Sequence, residues 1–441
     1  MSLPRYPEYK DSGVAWLGEV PAHWDVRRLG FFFEERRQKV SDMDYPALSV
    51  TKGGVVPQLE TAAKTDDGDN RKLVCAGDFV INSRSDRKGS AGAARQDGSV
   101  SLICTVLRPA PGINIDFIHH LLRSVSFQEE FYRYGKGIVA DLWSTNYSEM
   151  RNILLALPSQ PEQGVIAAFL DRETAKIDAL LAEQEKLIAL LAEKRQATIS
   201  HAVTKGLNPD APMKDSGVAW LGEVPAHWKV ARMKHIVHEG IAGPYGSSLT
   251  KAMYVASGYR VYGQQQVIPN DFSVGDYYIS EDKFSEMTRY LVRPNDILIS
   301  VMGTIGRAAL VPADVEPGVI NPRLVLYRAK ERVIAPRYLQ VFINNPTSQR
   351  YFSLAAQGTT MEGLNMVSIG ELHISLPSLD EQHEILEFID GETAHLDALT
   401  TEATRAITLL KERRSALIAA AVTGKIDVRG VAELAPAAVP A

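Results

Sequence analysis

The side chains that could do chemistry in this chain are hydrogen-bond donors in short polar loops, and that chemistry is recognition of nucleic acid. Between Arg84 and Arg95 stand Arg84, Arg87, Lys88 and Arg95 against one acid, Asp86. Ser85, Ser90, Gly89 and Gly92 in the same stretch let backbone and hydroxyl groups approach phosphates closely. Lys136 is a further cation. Later in the chain, Gly243-Pro-Tyr245-Gly-Ser247-Ser248, Gln264-Gln265-Gln266, Gly303-Thr-Ile-Gly-Arg307 and Thr359-Thr360 have the same polar character. In the major groove Arg pairs bidentately with guanine and Gln with adenine. The candidate DNA-contacting residues are therefore Arg84, Ser85, Arg87, Lys88, Lys136, Tyr245, Ser247, Gln264, Gln265, Gln266, Arg307, Thr359 and Thr360. Taken singly, each stretch also reads as an ordinary solvated turn.

Residues for catalysis do not assemble in the same way. Gly135-Lys136 and Gly424-Lys425 lack the Ser or Thr that completes a phosphate loop. The Asn-Pro pairs at 208, 321 and 345 lack the second Pro and aromatic that hold an exocyclic amine for methylation. Glu281-Asp282-Lys283 has a nuclease-like local form but no Pro-Asp partner, and reads as surface. His119-His120 has no HExxH context and no neighbouring Cys. The expectation is a chain with no catalytic centre, no metal and no bound cofactor.

The elements that position the polar loops are written twice. Lys10 to Trp24 and Lys214 to Trp228 are the same fifteen residues, KDSGVAWLGEVPAHW, and hold four of the five tryptophans. Such a segment is a packed clip of turns around aromatic anchors, with His23 and His227 structural. Pro158 to Lys205 aligns without a gap with Pro377 to Gly424, and 24 of these 48 positions are identical. The layout is clip, variable segment, helix, repeated once.

From about Arg172 to Thr204 strong helix formers run without Gly or Pro. Ile177, Leu181, Gln184, Ile188 and Leu191 follow the 4-3-4-3 spacing of a coiled-coil seam, and Leu396, Ala403, Ile407, Leu410 and Leu417 share its register. A shorter helix is expected before each long one, with Asp171 or Thr174 as a cap. About 33 residues give roughly 50 Å, on the order of 15 base pairs of B-DNA. The helices read either as a ruler or as a plain oligomerisation seam. The variable segments read as short strands, among them Leu73-Val74, Phe79 to Ile81, Tyr259 to Tyr262, Ile297 to Val301 and Leu324 to Tyr327. Val74 to Ile81 resembles Val292 to Ile299, and Asn146 aligns with Asn365, so two related domains have diverged.

The 441 residues carry a formal net charge of −5, which excludes a uniformly basic nucleic-acid coat. Cys75 and Cys104 are too few to staple the chain and suggest a reducing compartment. The longest apolar runs are too short for a membrane span, and the polar start is no signal peptide. The expected location is the cytoplasm, without membrane contact.

The clip, the paired Pro-x-x-x-Glu-Gln segments, the Leu/Ile-Asp pairs and the Ala-Val-Thr endings together resemble the specificity subunit of type I restriction-modification systems, over the chain to about Lys425. That resemblance implies an α+β fold of two target recognition domains, with mixed short β-strands and helices. Two long helices separate them as an antiparallel coiled coil, with a pseudo-twofold internal repeat. It divides the chain into a first recognition domain with its clip (1–157), a central helical spacer (158–205), a second recognition domain (206–376), a C-terminal spacer (377–425) and a tail (426–441). Each domain would read one half of a bipartite DNA target, and the helices would fix the gap. Two modification subunits would bind S-adenosylmethionine, and restriction subunits would use ATP and Mg²⁺. The other reading is a coiled-coil scaffold that binds only protein.

Overall fold

The computed structural model describes residues 3–60, 68–137, 143–357 and 363–430. The chain divides into two compact units, Met1–Glu185 with Thr404–Ala441, and Lys186–Ala403. The division passes through both long helices, so each unit owns a variable segment and part of each helix.

The long helices are Gln160–Lys205 and Leu379–Val422, of 46 and 44 residues. The separate short helix expected before each one is not there. Each is continuous with its long helix: no Gly or Pro interrupts Phe169 to Arg172, and in the second copy the ladder runs on through Gly391, since no Pro removes a donor there. The expected caps are corrected for the same reason. Thr174 lies inside the helix, its hydroxyl donating to Leu170 O at 2.7 Å, and the Asp171 carboxylate meets His120 Nε2 at 2.7 Å. Pro161 sits in the first turn, where a missing N–H costs nothing.

The seam spacing is visible in burial. Ile177, Leu191, Leu396 and Ala403 are buried, while Leu181, Gln184, Ile188, Ile407, Leu410 and Leu417 are half-buried between exposed neighbours. Within each unit the helices run in opposite directions. In the first unit, Ile166 and Leu170 share a core with Ala421 and Val422, and Asp178 pairs with Arg414 at 2.8 Å. In the second, Ala202 and Val203 share a core with Ile385 and Ile389, and Arg195 pairs with Asp397 at 2.6 Å.

Each unit carries one four-stranded antiparallel sheet of the same topology. In the first its order is Ala91–Ala93, Phe79–Asn82, Cys104–Pro109, Phe33–Glu35. In the second it is Ala308–Leu310, Ile297–Ser300, Leu324–Ala329, Val237–Ala242. Phe79–Asn82 and Ile297–Ser300 are buried throughout, which explains their unbroken apolar runs. Two helix pairs were not expected from the sequence: Ile115–Arg123 with Val125–Arg133, and Pro336–Asn344 with Pro346–Gln357. Asn114 and Ser124 cap the first pair, donors being the backbone N–H groups of Asp116, Phe117 and Phe127.

Both clips form a two-stranded hairpin, Tyr9–Asp11 with Glu19–Pro21 and Met213–Asp215 with Glu223–Pro225. Gly13 and Gly18 bend the first at φ 77° and 60°, a region glycine enters without strain. Trp24 and Trp228 are fully buried. Among the described residues no helix is long and apolar enough to cross a membrane.

Candidate nucleic-acid interface

The clip and the start of each long helix form the frame on which the loops sit. Glu162 accepts from Tyr6 Oη (2.8 Å) and Trp24 Nε1 (3.2 Å), and lies 2.9 Å from His23 Nε2. Glu381 repeats this with Trp228 Nε1 (2.9 Å) and His227 Nε2 (3.1 Å). The neighbouring glutamines reach the variable segments. Gln163 accepts from Asn114 N (2.8 Å), and Gln382 from Ala335 N (2.8 Å), so each starts a recognition-domain helix from the long helix. Each also ties its amide nitrogen to the proline ahead of it, Pro158 O (2.9 Å) and Pro377 O (3.0 Å). His120 to Asp171, and Arg337 to Asp390 at 2.6 Å, add a second tie in each unit. Burial holds the His120 imidazole below its usual pKa despite that carboxylate.

At one end of each sheet the strand order and a repeated bridge bring the variable loops together. In the first unit Arg84, just past the strand Phe79–Asn82, bridges to Ser144. In the second unit Met302, at the matching place past Ile297–Ser300, bridges to Gly363. A cleft opens beside each bridge. The first measures about 470 Å³ and is lined by Arg37, Lys39, Lys72, Arg84, Leu102 and Ile103 among others. The second measures about 350 Å³ and is lined by Lys251, Tyr254, Gln264, Gln265, Tyr277 and Arg323 among others.

The nominated residues fall differently on these two sites. Arg84 is exposed in the first cleft, with no carboxylate partner among the described residues. Arg87 is exposed, 3.5 Å from Asp86. Lys88 pairs with Glu129 at 2.6 Å and lies 5.2 Å from the Tyr132 ring centroid. Lys136 is exposed and pairs with Glu149 at 3.2 Å. Hydrogen bonds from Ser148, then Lys136, hold that carboxyl below its usual range. Gln265 is exposed at the second cleft, and Gln264 donates to the carbonyls of Met302 and Thr304, linking this cleft to the Gly303–Arg307 loop. Arg307 and Tyr245 are exposed. Gln266 is corrected: it is buried, accepting from Gly263 N (2.8 Å) and donating to Val274 O (2.8 Å), so its amide shapes the loop and faces no groove. Thr359 and Thr360 lie outside the described residues, as do the side chains of Ser85 and Ser247.

Several cleft residues escaped the sequence analysis. Arg37 and Lys39 follow Glu34-Glu35, so the local charge nearly cancels and the run does not stand out. Leu102 and Ile103, each 40% exposed, looked like the start of a buried strand, which in fact begins at Cys104. Tyr254 and Tyr277 form a ring pair with centroids 5.0 Å apart, from positions 23 residues apart in sequence.

Comparison with known proteins agrees with this architecture. Residues 249–409 match the family model of the type I restriction modification DNA specificity domain. The type I restriction enzyme EcoBI specificity subunit of Escherichia coli is 24% identical over 289 residues, covering 64% of this chain and 60% of that relative. The EcoKI specificity subunit of Escherichia coli (strain K12) is 22% identical, covering 81% of this chain and 76% of its own. The MjaVIII specificity subunit of Methanocaldococcus jannaschii is 22% identical, covering 93% and 95%. The crystal structure of the HsdS subunit from Thermoanaerobacter tengcongensis superposes with a TM-score of 0.56 at 17% identity, over 92% of this chain and 98% of that one. A chain from a structural study of complex assembly in the type I R-M system reaches 0.64 at 17% identity, over 91% and 98%. Duplicated clips, paired long helices and two sheets of one topology thus meet a match to the type I restriction modification DNA specificity domain in the second half, and similarity in sequence and fold to type I restriction-modification specificity subunits over nearly the whole length.

Proposed function

We propose that this chain is the DNA sequence-recognition subunit of a type I restriction-modification complex and performs no chemical step itself. Each unit reads one half of a bipartite duplex target, and the paired helices set the gap and dock two modification subunits. S-adenosylmethionine then belongs to those subunits, and ATP with Mg²⁺ to restriction subunits. The observation that carries the reading is the repeated bridge. Beside Arg84–Ser144 and Met302–Gly363 one fold presents clefts with different polar linings, Arg37, Lys39, Lys72 and Arg84 in the first unit and Lys251, Gln264, Gln265 and Arg323 in the second. Two readers of unlike half-sites need that arrangement, since base identity is read by side-chain type while the scaffold is indifferent to it.

Methylome sequencing of a host with and without this gene tests the reading. The expected result is one gene-dependent adenine-methylated motif made of two half-sites and a constant gap. Gene-independent methylation, together with no sequence preference in duplex shift assays of the assembled complex, leaves the protein-binding scaffold instead.

A further inference from the structure

A second cleft in the first unit, of about 490 Å³, holds more hydrogen-bond donors than acceptors. Its inner wall is His119 and Arg123, one turn apart on the helix Ile115–Arg123. His119 Nδ1 lies 3.2 Å from the backbone N–H of Ala93 and accepts from it. A neutral imidazole has one N–H and one lone pair, so the proton sits on Nε2. Burial, then the Arg123 charge, pushes the His119 pKa down to about 3, so the ring is neutral at pH 7. Yet Nε2 faces Arg123 Nη1 at 2.5 Å, and a guanidinium nitrogen can only donate. Two donors therefore point at each other. Arg123 Nε is also buried and has no hydrogen-bond partner among the described residues. Leaving a buried donor unpaired is costly, and more so when the group is charged. The exposed Lys52 and the ion-paired Lys88 and Arg414 rim the cleft.

The second unit supplies the control. Its matching helix, Pro336–Asn344, is followed by the Asn345 cap as the first is by Ser124, which places Gln340 at the position of His119 and Asn344 at that of Arg123. There both amides close on backbone. Asn344 accepts from Ala308 N (3.0 Å) and donates to Ala308 O (2.7 Å), and Gln340 donates to the same oxygen at 3.4 Å. The fold therefore does not require an Arg and a His here. In the first unit Arg123 Nη2 also donates to backbone, at Lys52 O, but Arg123 Nη1 and His119 Nε2 are left as two facing donors, suited to an acceptor from outside the chain.

We propose that His119 and Arg123 form a phosphate-binding site that takes a backbone phosphate of the DNA whose bases are read from the Arg84 cleft. This rests on the DNA-reading function proposed above. A phosphate oxygen set between Arg123 Nη1 and His119 Nε2 accepts from both and relieves their donor–donor contact, and Lys52 faces its remaining charge. The loop from Arg84 to Ser90 joins the two clefts. Arg84 lines one, Lys88 and Gly89 line the other, and Asn82 N closes the loop on Ser90 O at 2.9 Å. One short closed loop thus touches both a base-reading position and a charge-neutralising one.

Two measurements on the full chain test this. In the first, thermal unfolding is followed in inorganic phosphate and in chloride at matched ionic strength. Phosphate raises the transition of the wild type and has a smaller effect on the double variant His119→Gln/Arg123→Asn, whose residues are those of the second unit. Lys52→Ala, at an exposed position, lowers the response without disturbing the core. Equal responses in all three proteins overturn the anion site. In the second, binding to the methylome-defined duplex and to an unrelated one is measured from about 50 to 200 mM salt. The double variant binds both duplexes about 10- to 100-fold more weakly, and its log–log salt slope is shallower by about one. A phosphate response with an unchanged slope marks a free-anion site and overturns the DNA source. If the wild type binds no duplex at all, the DNA-reading function fails, and the first measurement still decides the anion site on its own.

Discussion

Removing the charges of Arg84, Arg87 and Lys88 together weakens recognition of one half-site by about 1–3 kcal/mol if one of them makes a bidentate base contact. The other half-site keeps its sequence. Competition binding with duplexes altered in each half reads both effects, and unchanged affinity removes the loop from the interface. A pH effect belongs to the two adjacent histidines. His119 and His120 are held neutral by burial in the folded chain, while an unfolded chain protonates them near pH 6.5. Stability is therefore full above that pH and falls as acid is added, down toward the folded value of about 3 for His119. Thermal melts between about pH 7 and 5 check the sign, and His119→Gln flattens the curve. At this scale the sequence showed which residue types were present but not which were free. Gln264, Gln265 and Gln266 are identical letters in a row, yet a helical turn buries one amide in its own loop and leaves its neighbour exposed.

The frame elements carry stability. Replacing Glu162 by Ala leaves the buried Trp24 Nε1 and Tyr6 Oη without an acceptor and costs about 1–3 kcal/mol. Glu381→Ala costs less, since Trp228 alone is buried there and His227 stays exposed. Denaturant unfolding of both variants measures the difference. The long helices also present apolar side chains away from their seam. Leu180 and Leu399 match under the repeat and are 50% and 41% exposed, and Leu190 and Leu409 are 51% and 55% exposed. Each unit thus shows at least one exposed leucine from each helix, the second adding Leu187 at 41%. Changing Leu180 and Leu409 to Lys should leave the fold intact and weaken co-purification with a modification subunit. Changing Leu399 and Leu190 should do the same at the other unit, so that either pair alone leaves one docking place. The seam was legible because its spacing survives polar substitutions such as Gln184. The short helix pair after Asn114 was not, because nine residues with His-His at their centre give too little periodicity to separate helix from strand.

For the whole molecule, inserting one helical turn within Ala182 to Ala192 should lengthen the gap in the methylated motif and keep both half-sites. A motif with altered half-sites and the old gap rules out the ruler. The net charge of −5 is compatible with this role because it averages the basic clefts with the rest of the chain, and partner subunits can supply further phosphate contacts. The duplication was plain from the clips and the 24 shared helix positions. The partition into units was not, since nothing in the sequence says that the last helix belongs with the first clip. That partition has a consequence for synthesis. The second unit, Lys186–Ala403, is continuous and can close as soon as it leaves the ribosome. The first cannot. Its Trp24 core includes Ala421, Val422 and Val428, Lys425 Nζ donates to Leu17 O at 2.9 Å, and Asp427 N donates to Pro4 O at 2.8 Å. The segment around Trp24 must wait for residues 421–428. A message cut short before residue 421 therefore yields a protein whose second unit is finished and whose first is unsealed, and only a chain that extends through residue 428 presents both.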